Sequence, residues 1–377
     1  MADTDVTSSK SIEPLETRRL LSGVRATQAS YPVNMTPQDV VAADFNGDGR
    51  ADLAVLGAGG GGVALLLGQN DGSFAAARQL QIGKPWQIAA GDFNRDGAAD
   101  IAAIDSGDHI TIYPGRRDGT FRVSETLRVP HAADLVAGDF NADGRDDLAV
   151  ATTLGNGNGL TVIFNRGNHL DGARRAVGGS EGAGWVEQMI VADLNGDGRD
   201  DVTTIDDVGG VHAYVARSKG DRFAAAKNQW FGRQASGFAL ADLDGDKKAD
   251  LVVGGWGLSA ADPNFTGEID ILKGNGDGTF ATARGIAVDG YGGALAATDA
   301  NGDGSTDLVL VTASSPMRVL FNDGKANFAT SEDVNPGDAM RGAWSSAIFP
   351  GDVNGDGRPD LLQLNSDTDS AVVTTLA

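Results

Sequence analysis

Asp44, Asn46, Asp48 and Asp52 stand at positions 1, 3, 5 and 9 of the stretch DFNGDGRAD. Four oxygen-bearing side chains in nine residues can meet at one point only if the backbone turns sharply. Gly49 at position 6 permits such a turn, because glycine alone enters the positive-φ region without strain. Hard oxygen donors gathered by one tight loop suit Ca2+, which accepts six to eight of them at about 2.3–2.6 Å. The carbonyl of Arg50 at position 7 adds a fifth donor. The loop has no His or Cys, which argues against zinc, and Mg2+ fits less well because it keeps its waters.

The loop recurs. A second copy offers Asp92, Asn94, Asp96 and Asp100 with the Ala98 carbonyl, and a third Asp139, Asn141, Asp143 and Asp147 with that of Arg145. The fourth has Asp193, Asn195, Asp197 and Asp201 with Arg199, and the fifth Asp242, Asp244, Asp246 and Asp250 with Lys248. The sixth has Asp299, Asn301, Asp303 and Asp307 with Ser305, and the seventh Asp352, Asn354, Asp356 and Asp360 with Arg358. These are not EF-hands. Position 12, where that motif needs a bidentate Glu, holds Val55, Ala103, Val150, Thr204, Val253, Leu310 and Gln363. In the fifth copy Lys247 replaces the position-6 glycine. A side chain at positive φ is strained, which makes this the weakest of up to seven expected Ca2+ sites.

The elements that position these loops repeat with them. A short run ending in small residues precedes each loop, as in DVVAAD and DLVAGD, and another follows, as in DLAVLG and DLVVGG. A third run such as HITIYPG comes next, and then turns such as NDGSF, RDGTF and GDGTF, ending at Phe74, Phe121 and Phe280. A polar fourth segment closes the unit. Short β-branched runs bounded by Gly, Asn and Asp read as strands. Four strands in about fifty residues is the size of a propeller blade. Seven units predict an all-β fold, a seven-bladed β-propeller of four-stranded antiparallel blades. A two-row solenoid is the alternative, but small residues ending the first strand suit the crowding at a central axis. The last unit lacks a fourth strand, and GVRATQASYPV, before the first loop, supplies a spare one. Its pairing would close the ring and remove two edges. The expected organisation is a disordered or targeting segment over 1–22 and the propeller over 23–377.

Composition agrees. The chain of 377 residues has 54 Gly, no Cys and a net charge of −22. That charge argues against nucleic acid and anionic membranes, and no apolar run approaches a membrane span. The missing cysteines leave the redox compartment open. The first thirty residues hold no secretory h-region. Three Asp at ligand positions in six loops and four in the fifth make a dense set of carboxylates. Seven Ca2+ would reduce the net charge to about −8 and make folding calcium-dependent.

Through these seven loops and the strands after them, residues 23 to 377 resemble the FG-GAP/VCBS repeat family of integrin α-like propellers. The resemblance implies loops between first and second strands on the lower face, with ligands on the opposite face. Its members include adhesion receptors, lectins and bacterial surface proteins. A second segment, IEPLETRRLLSG, resembles the short LEPR-XLL segment of planctomycete proteins, departing from it at Thr17. That implies a bacterial extracellular or cell-surface location without an ordinary signal peptide.

Eight residues before each loop, at the blade-to-blade connection, stand Thr36, Lys84, His131, Trp185, Gln234, Tyr291 and Trp344. Trp86 and Trp230 fall in the same connections, and Trp256 opens a long insertion at 255–268. All five Trp thus map to the face opposite the loops. They suit stacking on a sugar or a protein side chain, or serve as wedges between blades. The expected partner of this calcium-stabilised, monomeric binding or adhesion module is an extracellular protein or glycan, with a lectin as the alternative. The sequence has no G-x-S-x-G, H-E-x-x-H or phosphate loop. No catalytic residue is assigned, and a carboxylate pair such as Asp262 with Glu268 is the weak remaining route to a polysaccharide-active enzyme.

Overall fold

The structure is a computed structural model. It describes residues 24, 26–154, 157–167, 170, 174–180, 186–217, 222–224, 227–230, 235–255, 267–288, 294–311, 317–334 and 348–376. The expected segment 1–22 lies outside them. Among the described residues there is no helix, and hence none long and apolar enough to cross a membrane.

Seven four-stranded antiparallel sheets follow one another. The first consists of β2 (Pro37–Ala43), β3 (Asp52–Gly57), β4 (Val63–Leu66) and β5 (Arg78–Gln79). The second has β6 (Gln87–Gly91), β7 (Asp100–Ile104), β8 (His109–Tyr113) and β9 (Glu125–Arg128), and the third β10 (Ala132–Gly138), β11 (Asp147–Leu154), β12 (Gly157–Ile163) and β13 (Arg174–Ser180). The fourth joins β14 (Val186–Ala192), β15 (Asp201–Asp206), β16 (Gly210–Tyr214) and β19 (Lys227–Trp230). A small ribbon of β17 (Ala216–Arg217) and β18 (Arg222–Phe223), which no repeat signalled, precedes its last strand. The fifth has β20 (Ala235–Ala241), β21 (Asp250–Gly255), β22 (Gly267–Leu272) and β23 (Arg284–Val288), and the sixth β24 (Leu295–Thr298), β25 (Asp307–Leu310), β26 (Met317–Phe321) and β27 (Thr330–Val334).

The seventh sheet closes the ring as expected. To β28 (Phe349–Gly351), β29 (Asp360–Asn365) and β30 (Ser370–Leu376) it adds β1 (Ala26–Pro32), running antiparallel from Ala26 opposite Leu376 to Pro32 opposite Ser370. Tyr31 then packs edge-on against Phe74 of the first blade at 5.3 Å.

The core lies between blades. One cluster packs Phe45, Leu56 and Leu65 of the first blade against Ile88, Ile101 and Tyr113 of the second. Another packs Val309 and Val319 of the sixth against Leu361 and Leu376 of the seventh. Seven such clusters fill the seven gaps around the ring. Each fully buried Leu, Ile or Phe contributes roughly 1.5–3 kcal/mol. Neither face of a middle strand meets water, so β3 and β7 are buried at every position, and their sequences run apolar without alternation.

The innermost strands crowd the axis. A methyl group on Gly91 would lie 2.9 Å from the Ala137 Cβ, and one on Gly138 2.9 Å from Val191 Cγ1. Between these strands runs a channel of about 780 Å3. Register shifts at Pro37/Asp39, Ala132/Asp134 and Val186/Gln188 mark β-bulges, and Asp39, Asp134 and Gln188 line the channel with Gln87. Gln87 donates to Asp134 at 3.2 Å. Burial pushes the Asp39 carboxyl up to about 6, against the hydrogen bond from Val40 N–H. Burial, aided by the Asp39 charge, pushes Asp134 up to about 7.

Candidate metal centres

All seven loops join the first strand of a blade to its second, so all lie on one face of the ring. In the first loop Asp44 accepts the N–H of Asp48 at 3.0 Å and of Gly49 at 2.7 Å. Asp48 in turn accepts the Arg50 N–H at 3.0 Å. The same scaffold recurs at Asp92, Asp139, Asp193, Asp242, Asp299 and Asp352. Position 6 has positive φ throughout, from 66° at Lys247 to 88° at Gly304. Position 4 is left-handed as well, a feature the sequence reading missed because Arg95 and Ala142 occupy it in the second and third loops.

The position-9 aspartates do more than line the loop. Asp52, fully buried, accepts the Phe45 N–H at 3.0 Å and the Gly68 N–H, just past β4, at 2.8 Å. Asp100, Asp201, Asp250 and Asp307 brace loop to third strand in the same way. Asp147 holds Asn165 N–H at 2.7 Å, and Asp360 holds those of Val353 and Asn354, each at 3.1 Å. Loops also grip their neighbours. Ala99 N–H donates to the Asp44 carbonyl at 2.7 Å, Asp146 accepts the Asp92 N–H at 2.7 Å, and Asp200 accepts that of Asp139 at 2.9 Å.

The electrostatics favour a cation. Burial is the largest cause that lifts the position-9 carboxyls, to about 6 at Asp52, Asp307 and Asp360, about 7 at Asp100 and Asp201, and about 8 at Asp147. Backbone donors oppose the shift, and the other loop carboxylates add to it. Asn46 is buried and its Oδ1 has no partner, and the Oδ1 of Asn195 is likewise buried and unpartnered. Both are position-3 oxygens. A buried acceptor without a donor costs about 1–3 kcal/mol, which a bound cation would remove. The residues present therefore fit Ca2+.

On the opposite face the structure describes part of the expected surface. Trp86 is 47% exposed, and its N–H donates to the Ile104 carbonyl at the end of β7. His131, with φ 61°, is exposed, donates its N–H to Asp108 at 3.0 Å and accepts the Thr153 N–H. Both sit where strands turn away from the loop face. Trp230 ends β19. Trp185, Trp256, Tyr291, Trp344, Gln234 and Asp262 lie outside the described residues, as does most of the 255–268 insertion.

Fold and site together define a closed β-propeller built from repeated blades, with an acidic loop in each. The family model for FG-GAP-like repeats matches five times, over residues 44–103, 92–150, 139–204, 193–253 and 299–362. The chain belongs to that family. No curated protein matches it. Two crystal structures of BBS1N in complex with ARL6DN, one soaked with mercury and one with lead, are similar in fold, with TM-scores of 0.60 and 0.59. Each is 15% identical over 93% of this chain and 94% of that one.

Proposed function

We propose that this chain is a calcium-stabilised binding module. Ca2+ held in the lower loops would fix the blades, and the opposite face would dock a protein or a glycan at the cell surface or outside the cell. The observation that carries the calcium reading is the pair of orphaned oxygens at Asn46 and Asn195, each inside a loop whose position-9 carboxylate, Asp52 or Asp201, is buried. The loop carboxylates are committed to backbone and ion, which directs recognition to the other rim. An extracellular setting agrees with such loops, because extracellular calcium modules work at about 10−4–10−3 M. The likeness to BBS1N, whose crystals hold ARL6DN, supports a protein partner.

Exposed Trp86 favours a second reading, a lectin, since an open indole stacks on sugar rings. A glycan array with and without Ca2+ separates the two. Sugar binding lost on Trp86→Ala supports the lectin. A blank array, together with calcium-dependent capture of a purified surface protein, supports the protein-binding module. Turnover of a polysaccharide would overturn both.

A further inference from the structure

The fifth loop differs from the others in a way that is coherent across three places in the chain. Position 3 is Asp244, where the other six have Asn. Position 6 is Lys247 in place of glycine, with φ 66°. The third difference is visible only in space. In six blades a backbone N–H just past the third strand donates to the position-9 Asp, from Gly68, Gly115, Asn165, Ala216, Gly274 and Asn322. The residue before that donor is Leu67, Pro114, Phe164, Val215 and Phe321 in five of them, and Lys273 in the fifth blade.

Lys273 reaches back over the loop. Its Nζ hydrogen-bonds Asp244 Oδ2 and stands 3.1 Å from Asp246 Oδ2. Those are positions 3 and 5, two of the expected ligands. In loops one, three and four the cation is the position-7 Arg, paired with the position-5 Asp, and position 3 carries no charge to pair. The Lys273 ammonium donates to Asp244 and faces Asp246, and an exposed lysine is charged at neutral pH. With Lys247 and Lys248 beside it, the loop holds three ammonium groups against four carboxylates.

We propose that the fifth loop has exchanged its divalent cation for the Lys273 ammonium. This rests on the calcium reading of the other six loops. Carboxylate oxygens of Asp242, Asp244 and Asp250 lie within 4.8 Å of one another, so these acids would attract a divalent ion if Lys273 were absent. An ammonium on two of the ligand positions supplies the positive charge instead, and it repels a second cation. The exchange leaves one blade fastened at any calcium concentration.

The test counts ions on the full-length chain at saturating Ca2+ by native mass spectrometry. The wild type is expected to hold six. Lys273→Leu, the residue type of the first blade, is expected to add one, and Lys273→Gln does the same if the leucine variant fails to fold. A wild-type count of seven, or a count unchanged by both substitutions, overturns the inference and leaves the calcium reading intact. A count of zero in the wild type overturns the calcium reading and this inference with it.

Discussion

At the scale of single residues, position 6 of the fifth loop carries a measurable strain. Lys247 sits at φ 66°, a conformation that costs a side-chain-bearing residue roughly 1 kcal/mol. Lys247→Gly is expected to raise unfolding stability by up to that amount in urea titrations, and a loss of stability would contradict the argument. In the channel, Asp39 and Asp134 have carboxyls raised to about 6 and about 7. A raised carboxyl means the folded state binds more protons than the unfolded one between pH 4 and 7, so each group lowers stability as pH rises through that window. Asp134→Asn is expected to stabilise the protein at pH 8 by on the order of 1–2 kcal/mol and to be neutral near pH 4. Denaturation at the two pH values checks it; an equal effect at both would refute it. The oxygen-bearing positions of these loops were legible in the sequence because they are local. The brace of Asp52 onto Gly68 was not, since that donor lies sixteen residues away, just past β4.

At the scale of elements, the first strand of each blade is limited by its neighbours. Gly138 has Val191 Cγ1 and Asp200 Oδ2 each 2.9 Å from where a Cβ would stand. Gly138→Val is expected to destabilise by about 1–3 kcal/mol through overpacking, read as a lower urea midpoint. A midpoint equal to wild type would show that the inner strands can give way. Small residues at these strand ends were visible in the sequence and so was their reason, crowding at an axis. The bulges that place Asp39, Asp134 and Gln188 beside the channel left no such mark. A bulge is a mismatch between two strands, and one strand's sequence does not display it.

At the scale of the whole molecule, stability depends on closing the ring and on charge. Removing residues 1–32 deletes β1, exposes the edge of β30 and opens the packing of Tyr31 on Phe74. The truncated chain is expected to melt at least about 10 °C lower and to aggregate, because an unpaired edge recruits other strands. Unchanged melting would mean that the ring holds without that strand. Chelating Ca2+ with EDTA is expected to lower the melting temperature by more than about 5 °C, since an ion bound only by the folded state stabilises it by roughly 2.7 kcal/mol per site at a hundredfold excess over Kd. A melting curve unmoved by EDTA would remove the calcium reading.

The sequence alone determined the number of blades, the order of strands within each, the loop residues and the strand that closes the ring. All of these follow from a local pattern repeated seven times, and repetition makes a weak local signal legible. The tertiary structure decided what depends on distance between repeats. It set Gln87 against Asp134 and Asp146 on the backbone of Asp92. No spacing along one repeat encodes those contacts, because each joins side chains or strands that meet only when the blades pack around the axis.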